Sequence, residues 1–358
     1  MFPRSTPAFA DRSEGGSQLD SRGLADQKAD MTKSDISDLA QRLRAGDRRA
    51  LARAITLVES GRADHRTDAL ALLEALGNDR QALRIGLSGT PGVGKSTFIE
   101  SFGLMLTGQG KRVAVLAVDP SSARSGGSIL GDKTRMDHLA RDPNAFIRPS
   151  PSQTELGGVA RRTRDAVALC EAAGFDIVLI ETVGVGQSET IVGQMSDLFV
   201  LLLAPAGGDE LQGVKRGIME MADLILVNKA DGALREQAIR TCADYAGALR
   251  LLRKRPQDPE GYPKALTISA IEANGLTLAW EEMQHLAGWR RDQGIWDQTR
   301  TAQASFWFAE DVRQGLLRWL HDDSATKSRM AAAEAKVRDG TLSPAAAAAQ
   351  VLALLGKR

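Results

Sequence analysis

Residues 83–98 read LRIGLSGTPGVGKSTF. The first part is a short, continuous apolar run of strand length, the middle is rich in glycine, and the end opens a helical spacing. Gly89 to Thr97, GTPGVGKST, satisfies GxxxxGK[ST] between strand and helix, the context that gives the pattern its physical meaning. Glycines at 89, 92 and 94 let backbone N–H groups wrap phosphates, and the following helix presents its positive end to the same charge. Lys95 is placed to reach the β- and γ-phosphates and the Ser96 hydroxyl to ligate Mg²⁺. Thr90, Pro91, Val93 and Thr97 complete the cradle. A deviant class of ATPase loops carries a second lysine early in the motif, where this chain has Thr90 and Pro91.

The pattern on either side of this loop is regular. RVAVLAVD, FDIVLIET, DLFVLLLAP, DLILVNKAD and ALTISA are further apolar runs, separated by helix-length pieces. Continuous strands joined by helices predict a doubly wound, mostly parallel α/β sheet covered on both faces, spanning about residues 81–288. Residues 31–80 carry apolar positions at three- and four-residue spacing, a helical N-terminal segment with Asp47 capping its second helix and Gly61 and Gly77 as stops. Residues 289–358 read as a C-terminal extension of long helices, with Pro344 opening the last. All five tryptophans lie between Trp280 and Trp319, either as core and helix-packing residues or as a self-association surface. Residues 1–30 are polar and lack periodicity, the signature of a disordered tail, and Met31 is an alternative start.

Composition bears on partners. With 46 basic and 45 acidic residues the formal net charge is +1, so no net field favours nucleic acid or an anionic membrane surface. No apolar run reaches 18 residues, so no membrane span is expected. Cys170 and Cys242 have no metal-ligand spacing and read as reduced thiols. The tail has no apolar stretch for a secretory signal, and its acids, Asp11, Glu14, Asp20, Asp26 and Asp30, argue against a mitochondrial presequence. The expected compartment is cytoplasmic.

LILVNKAD places Asn228, Lys229 and Asp231 at the end of a late strand. An aspartate carboxylate there can accept hydrogen bonds from guanine N1–H and its exocyclic amine, which adenine does not offer, so GTP is favoured over ATP. ISAIEANG follows the last strand, with Ser269, Ala270 and Ile271 in the same loop and Ser269-Ala270 placed for backbone contact to guanine O6. Asp119 at a strand end and Asp132 in the loop GGSILGDKTRM are within reach of Mg²⁺, directly or through water; a solvated loop is the other reading of Asp132. Glu181 ends DIVLIE beside the same metal, as a direct or water-mediated ligand, and Gly184 can offer its N–H to the γ-phosphate. Val185 cannot orient an attacking water, so intrinsic hydrolysis should be slow and partner-dependent.

SGTPGVGKST, VDPSS, GGSILGDKTRM, IETVGVGQSE, GGDELQGVK and NKAD, in this order, resemble the MeaB/ArgK-type P-loop GTPases over about residues 35–355. These are chaperones of adenosylcobalamin-dependent acyl-CoA mutases such as methylmalonyl-CoA mutase. The resemblance implies that Asp119, Asp132 and Glu181 surround Mg²⁺ and the γ-phosphate, and that Asp209, Gln212 and Lys215 form a further switch answering the mutase. It implies a homodimer joined through the C-terminal helices, and GTP-gated loading of adenosylcobalamin onto the mutase and protection of that enzyme. His65, His138, His285 and His321 are scattered and no DxHxxG run occurs, so the mutase is expected to hold the cobalamin. Two other readings stand beside this one. A kinase or ATPase serving amino-acid transport would need a base for a substrate hydroxyl, and a nickel metallochaperone GTPase would need Cys/His ligands at short spacing.

Overall fold

Seven strands form one sheet in which every pairing is parallel. They are β1 (Leu83–Ser88), β2 (Val113–Val118), β3 (Ala145–Arg148), β4 (Ile177–Thr182), β5 (Leu198–Leu203), β6 (Leu224–Val227) and β7 (Lys264–Thr267). The computed structural model describes residues 31–118, 136–149, 156–182, 188–205, 216–252, 255 and 258–353. The strand order is β3-β2-β4-β1-β5-β6-β7. From β1 the chain builds one half of the sheet through β4, then crosses to build the other half from β5. That reversal opens a crevice at the carboxyl end of β1, where ligands of doubly wound folds bind.

Six of these strands correspond to the runs expected from the sequence; β3 does not. Its four residues, AFIR, form an edge strand paired only to β2, too short to show a period.

The helices are α1 (Lys33–Arg44), α2 (Arg48–Glu59), α3 (Ala63–Leu76), α4 (Lys95–Gly108), α5 (Asp137–Arg141), α6 (Leu156–Ala172) and α7 (Ser188–Gly193). Next come α8 (Arg216–Met221), α9 (Arg235–Leu251), α10 (Leu276–Asp292), α11 (Ile295–Asp322), α12 (Ser324–Arg338) and α13 (Pro344–Leu352). Local chemistry sets several ends. Asp47 accepts from the Arg49 and Ala50 N–H groups at the start of α2, and Gly77, at φ +62°, terminates α3. Ser60 rather than Gly61 caps the end of α2. Pro344 occupies the first turn of α13.

Strand alternation sorts the core into two layers. Ala114, Leu116 and Val118 of β2 face α1, α2, α3 and α6, whereas Val113 and Val115 face the layer of α4 and α10. The helical segment 31–80 therefore shares its core with the sheet. The boundary expected at residue 288 falls inside α10, because the chain breaks helix only at Gly294, φ +69°.

A buried ionic network joins the lower, amino-terminal edge of the sheet to the C-terminal helices. Arg290 of α10 pairs with Asp223 (2.6 Å) and Asp258 (2.7 Å), and Arg300 of α11 pairs with Asp197 (2.7 Å) and Glu171 (3.3 Å). Arg84 of β1 pairs with Glu171 at 2.6 Å. Burial works against the Arg290 charge, but Asp223 and Asp258 outweigh it and hold its pKa above the ordinary value.

Trp280, Trp296 and Trp307 are buried, Trp319 is half-buried and Trp289 is exposed. Phe308, Val312 and Leu316 repeat every fourth residue along α11 and leave an exposed apolar stripe. Cys170 lies in the core, where burial pushes its thiol well above the usual range, and Cys242 is half-buried; both are free thiols. No helix among the described residues is long and apolar enough to cross a membrane.

Candidate nucleotide site

The phosphate loop leaves β1 and turns into α4 through Gly89, Gly92 and Gly94, all at positive φ. Gly94 stands at the N-cap of α4 with φ +93°, and no side chain caps that end. The helix's first-turn N–H groups and positive dipole therefore face the loop. Lys95 lies across the loop, donating from Nζ to the Gly89 carbonyl at 2.7 Å and the Thr90 carbonyl at 3.4 Å. Val93 is buried beneath it, while Thr90, Pro91, Gly92 and Thr97 are exposed and Ser96 is half-buried. This is an exposed rim over an apolar anchor, with Lys95 and Ser96 at the helix start.

β6 delivers the base-site residues beside that loop. Asn228, buried to 2% exposure, donates from Nδ2 to the Val93 carbonyl and accepts at Oδ1 from the Ala270 N–H, each at 3.0 Å. It thus ties the phosphate loop to the loop after β7. Lys229 takes φ +60° and donates from Nζ to the Gly92 carbonyl at 2.7 Å. Asp231 accepts a short hydrogen bond from Ser269 Oγ, which in turn accepts from the Glu272 N–H at 3.1 Å. The carboxylate is fixed on one oxygen and only partly buried. The Ala270 N–H, expected at guanine O6, is taken by Asn228; the next amide, that of Ile271, sits on an exposed turn.

Sequence patterning gave no sign of Ser101. From the second turn of α4 its Oγ donates to the Ala270 carbonyl at 2.6 Å, a second tie between the two loops. A lone serine inside a helix carries no motif that would mark it.

Glu181 is 6% exposed at the end of β4, in register with Leu87 of β1 and Ala117 of β2. Thr182 beside it donates to Ser88 Oγ at 3.3 Å. Glu181 therefore stands one strand away from the root of the phosphate loop. Asp119, Asp132, Gly184, Asp209, Gln212 and Lys215 lie outside the described residues. Of the metal set expected from the sequence, the structure describes Ser96 and Glu181.

The phosphate loop, Lys95 and the loop of Asn228 to Asp231 are thus brought together at the carboxyl ends of β1 and β6. Residues 51–325 match the family model described as methylmalonyl Co-A mutase-associated GTPase MeaB. The chain belongs to this family of GTPases. A Caulobacter vibrioides protein named a putative GTPase is 51% identical over 323 residues, 90% of this chain and 98% of the relative. The mouse protein named methylmalonic aciduria type A homolog, mitochondrial, is 49% identical over 314 residues, 85% of this chain and 75% of the relative. The Escherichia coli GTPase ArgK is 43% identical over 318 residues, 88% of this chain and 95% of the relative. A crystal structure of an LAO/AO transport system kinase aligns with TM-score 0.70 and 36% identity, covering 91% of this chain and 99% of that one. The chain is a P-loop GTPase of this family and binds guanine nucleotide.

Proposed function

We propose that this GTPase is a chaperone of an adenosylcobalamin-dependent acyl-CoA mutase of the methylmalonyl type, gating cobalamin loading and protecting the enzyme. The observation that carries the reading is the MeaB match across residues 51–325, and the mouse relative's name, methylmalonic aciduria type A homolog, refers to the same methylmalonyl chemistry. The site geometry supports the nucleotide half. Backbone amides of Gly89 to Thr97 and the start of α4 bind phosphate, Lys95 balances charge building on the β- and γ-phosphates, and Asp231 selects guanine.

Ser96 and Glu181 fit a divalent cation, since a hydroxyl and a carboxylate are the oxygen donors Mg²⁺ takes. Asp119 and Asp132 would complete the set. When bound, the ion neutralises phosphate charge. Gly184 would sense the γ-phosphate, and Asp209, Gln212 and Lys215 would relay activation from the mutase.

Val185 leaves the attacking water without an orienting side chain, so hydrolysis is slow until the partner binds. The stripe of Phe308, Val312 and Leu316 is a surface for a homodimer. Residues 31–80, 81–288 and 289–358 act as N-terminal segment, GTPase core and dimerisation extension, and the protein works in the cytoplasm. Neither nucleic acid nor a membrane takes part.

The test is GTPase rate with and without the host's acyl-CoA mutase. Stimulation of wild type and its loss in Lys215→Ala, at unchanged basal rate, support the role; equal stimulation of both refutes the relay. The name of the LAO/AO relative keeps a transport-linked kinase in view, and tighter binding of ATP than GTP would favour it. A nickel metallochaperone would need Cys/His ligands at short spacing, and equilibrium dialysis showing Ni²⁺ binding would favour that reading.

A further inference from the structure

The turn joining α7 to β5 is held by the C-terminal helix α11. Arg300, Gln303 and Trp307 share one face of that helix. Trp307 Nε1 donates to the Gln194 carbonyl at 3.0 Å, and Gln303 Nε2 donates to the Ser196 carbonyl at 2.8 Å. Arg300 donates to both carboxylate oxygens of Asp197, at 2.9 and 2.7 Å. Ser196 Oγ closes the turn back onto α7 by donating to the Val192 carbonyl at 2.6 Å. Gln303, Trp307, Ser196 and Asp197 are all buried, so water does not compete for these bonds.

On the sheet side α7 has no slack. A Cβ at Gly86 of β1 would stand 2.3 Å from Ser196 Oγ and 2.7 Å from Val192 Cγ1. β1 carries glycine because α7 and its turn lie directly on it. Gly193 meets α8 less rigidly, since a Cβ there would stand 2.9 Å from Met221 Cε, the far end of a flexible side chain. The α11 side, by contrast, has room. A cavity of about 380 Å³ lined in part by Met195, Gln303, Ala304 and Trp307 adjoins the turn. Gln303 Oε1 is buried without a partner, so moving that side chain breaks a single hydrogen bond.

We propose that Gln303 and Trp307 are positioning residues for GTP hydrolysis, coupling α7 to the helix that carries the exposed apolar stripe. The inference rests on reading the segment between β4 and α7 as the one that senses the γ-phosphate. A nucleotide that displaces α7 must then carry α11 along or break its bonds, so the nucleotide and the C-terminal helices bias one shared equilibrium.

Gln303→Leu and Trp307→Phe each delete one donor and keep most of the volume. Trp296→Phe is the control, since it deletes an indole donor on the same helix whose acceptor, Gln81 Oε1 at 2.9 Å, lies outside the turn. Steady-state GTP hydrolysis and amide exchange are measured on the full chain, the latter with GDP or a non-hydrolysable GTP analogue bound. In the Gln303→Leu, Trp307→Phe double variant kcat falls by about threefold or more while KM for GTP stays within about twofold, and Trp296→Phe keeps both. Exchange in residues 300–307 differs between the two nucleotides in wild type and ceases to differ in the double variant, while α7 still responds. Identical wild-type exchange of α11 in both states, with α7 responding, refutes the coupling alone. An equal fall of kcat in Trp296→Phe refutes it too. An α7 indifferent to bound nucleotide overturns the coupling together with the switch reading beneath it.

Discussion

Replacing Asn228 by alanine removes the strut between phosphate loop and base loop. It leaves the Val93 carbonyl and the Ala270 N–H, both in the interior, without the partners they have at 3.0 Å. Each such orphan costs about 1–3 kcal/mol, so Asn228→Ala should destabilise by about 2–6 kcal/mol. Gly94→Ala fails for a different reason. Its φ of +93° disfavours any Cβ by about 1–2 kcal/mol. The added methyl would also stand 2.7 Å from Asn228 Nδ2, an overpacking of about 1–3 kcal/mol. Trimming Asn228 relieves that clash but leaves the backbone strain. The double variant should therefore be less destabilised than the two single effects imply, by about 1–3 kcal/mol. Urea unfolding of the four proteins, with unchanged m-values as the condition for comparison, gives the coupling. Additivity within about 0.5 kcal/mol, or a loss below about 1 kcal/mol for Asn228→Ala alone, would refute the strut.

Further outcomes follow from the same site and its surroundings. Asp231→Asn should lower GTP affinity by about 10²-fold, a charged acceptor being worth up to about 3 kcal/mol, and shift preference toward xanthosine triphosphate; calorimetry with both nucleotides checks this. Lys95→Ala should cut phosphate release by about 10²-fold or more, with or without an added mutase, at a melting temperature close to wild type. A third outcome concerns pH. Burial raises the Glu282 pKa, but hydrogen bonds from Lys264 (2.6 Å) and Tyr262 outweigh it and hold the carboxyl below its ordinary value. Its folded-state pKa is depressed, so its contribution is present above pH 4.5 and disappears as acid protonates it. Glu282→Gln should then be less stable than wild type at pH 7 and converge with it as pH falls through the depressed folded pKa, and a gap in urea midpoint that stays constant to well below pH 4.5 would contradict this.

The phosphate loop was legible because its spacing is dictated by a ligand, and the longer strands because continuous apolar runs mark a sheet buried on both faces. β3 was not, since four residues at an edge have neither length nor period. Asn228 read as part of a base motif, yet both ends of its side chain are used by the protein, as a long-range contact to Val93 that local sequence does not encode. Ser101 and Gln303 escaped for the same reason. Each is one polar residue on a helix, and its meaning depends on a carbonyl 169 or 107 positions away.

The ionic network under the sheet bears on where this chain can be cut. Ending the polypeptide at residue 288 would strip Arg290 and Arg300 from Asp223, Asp258, Asp197 and Glu171, whose side chains are all less than a tenth exposed. Asp197 would lose its arginine outright, while Asp223 and Asp258 would keep only Arg255 and Glu171 only Arg84. Losing one member of a buried pair costs about 3–5 kcal/mol against a total stability of about 5–15 kcal/mol. The C-terminal helices thus supply counter-ions to the sheet, and a shortened GTPase core would be markedly less stable unless Asp197 were neutralised with it.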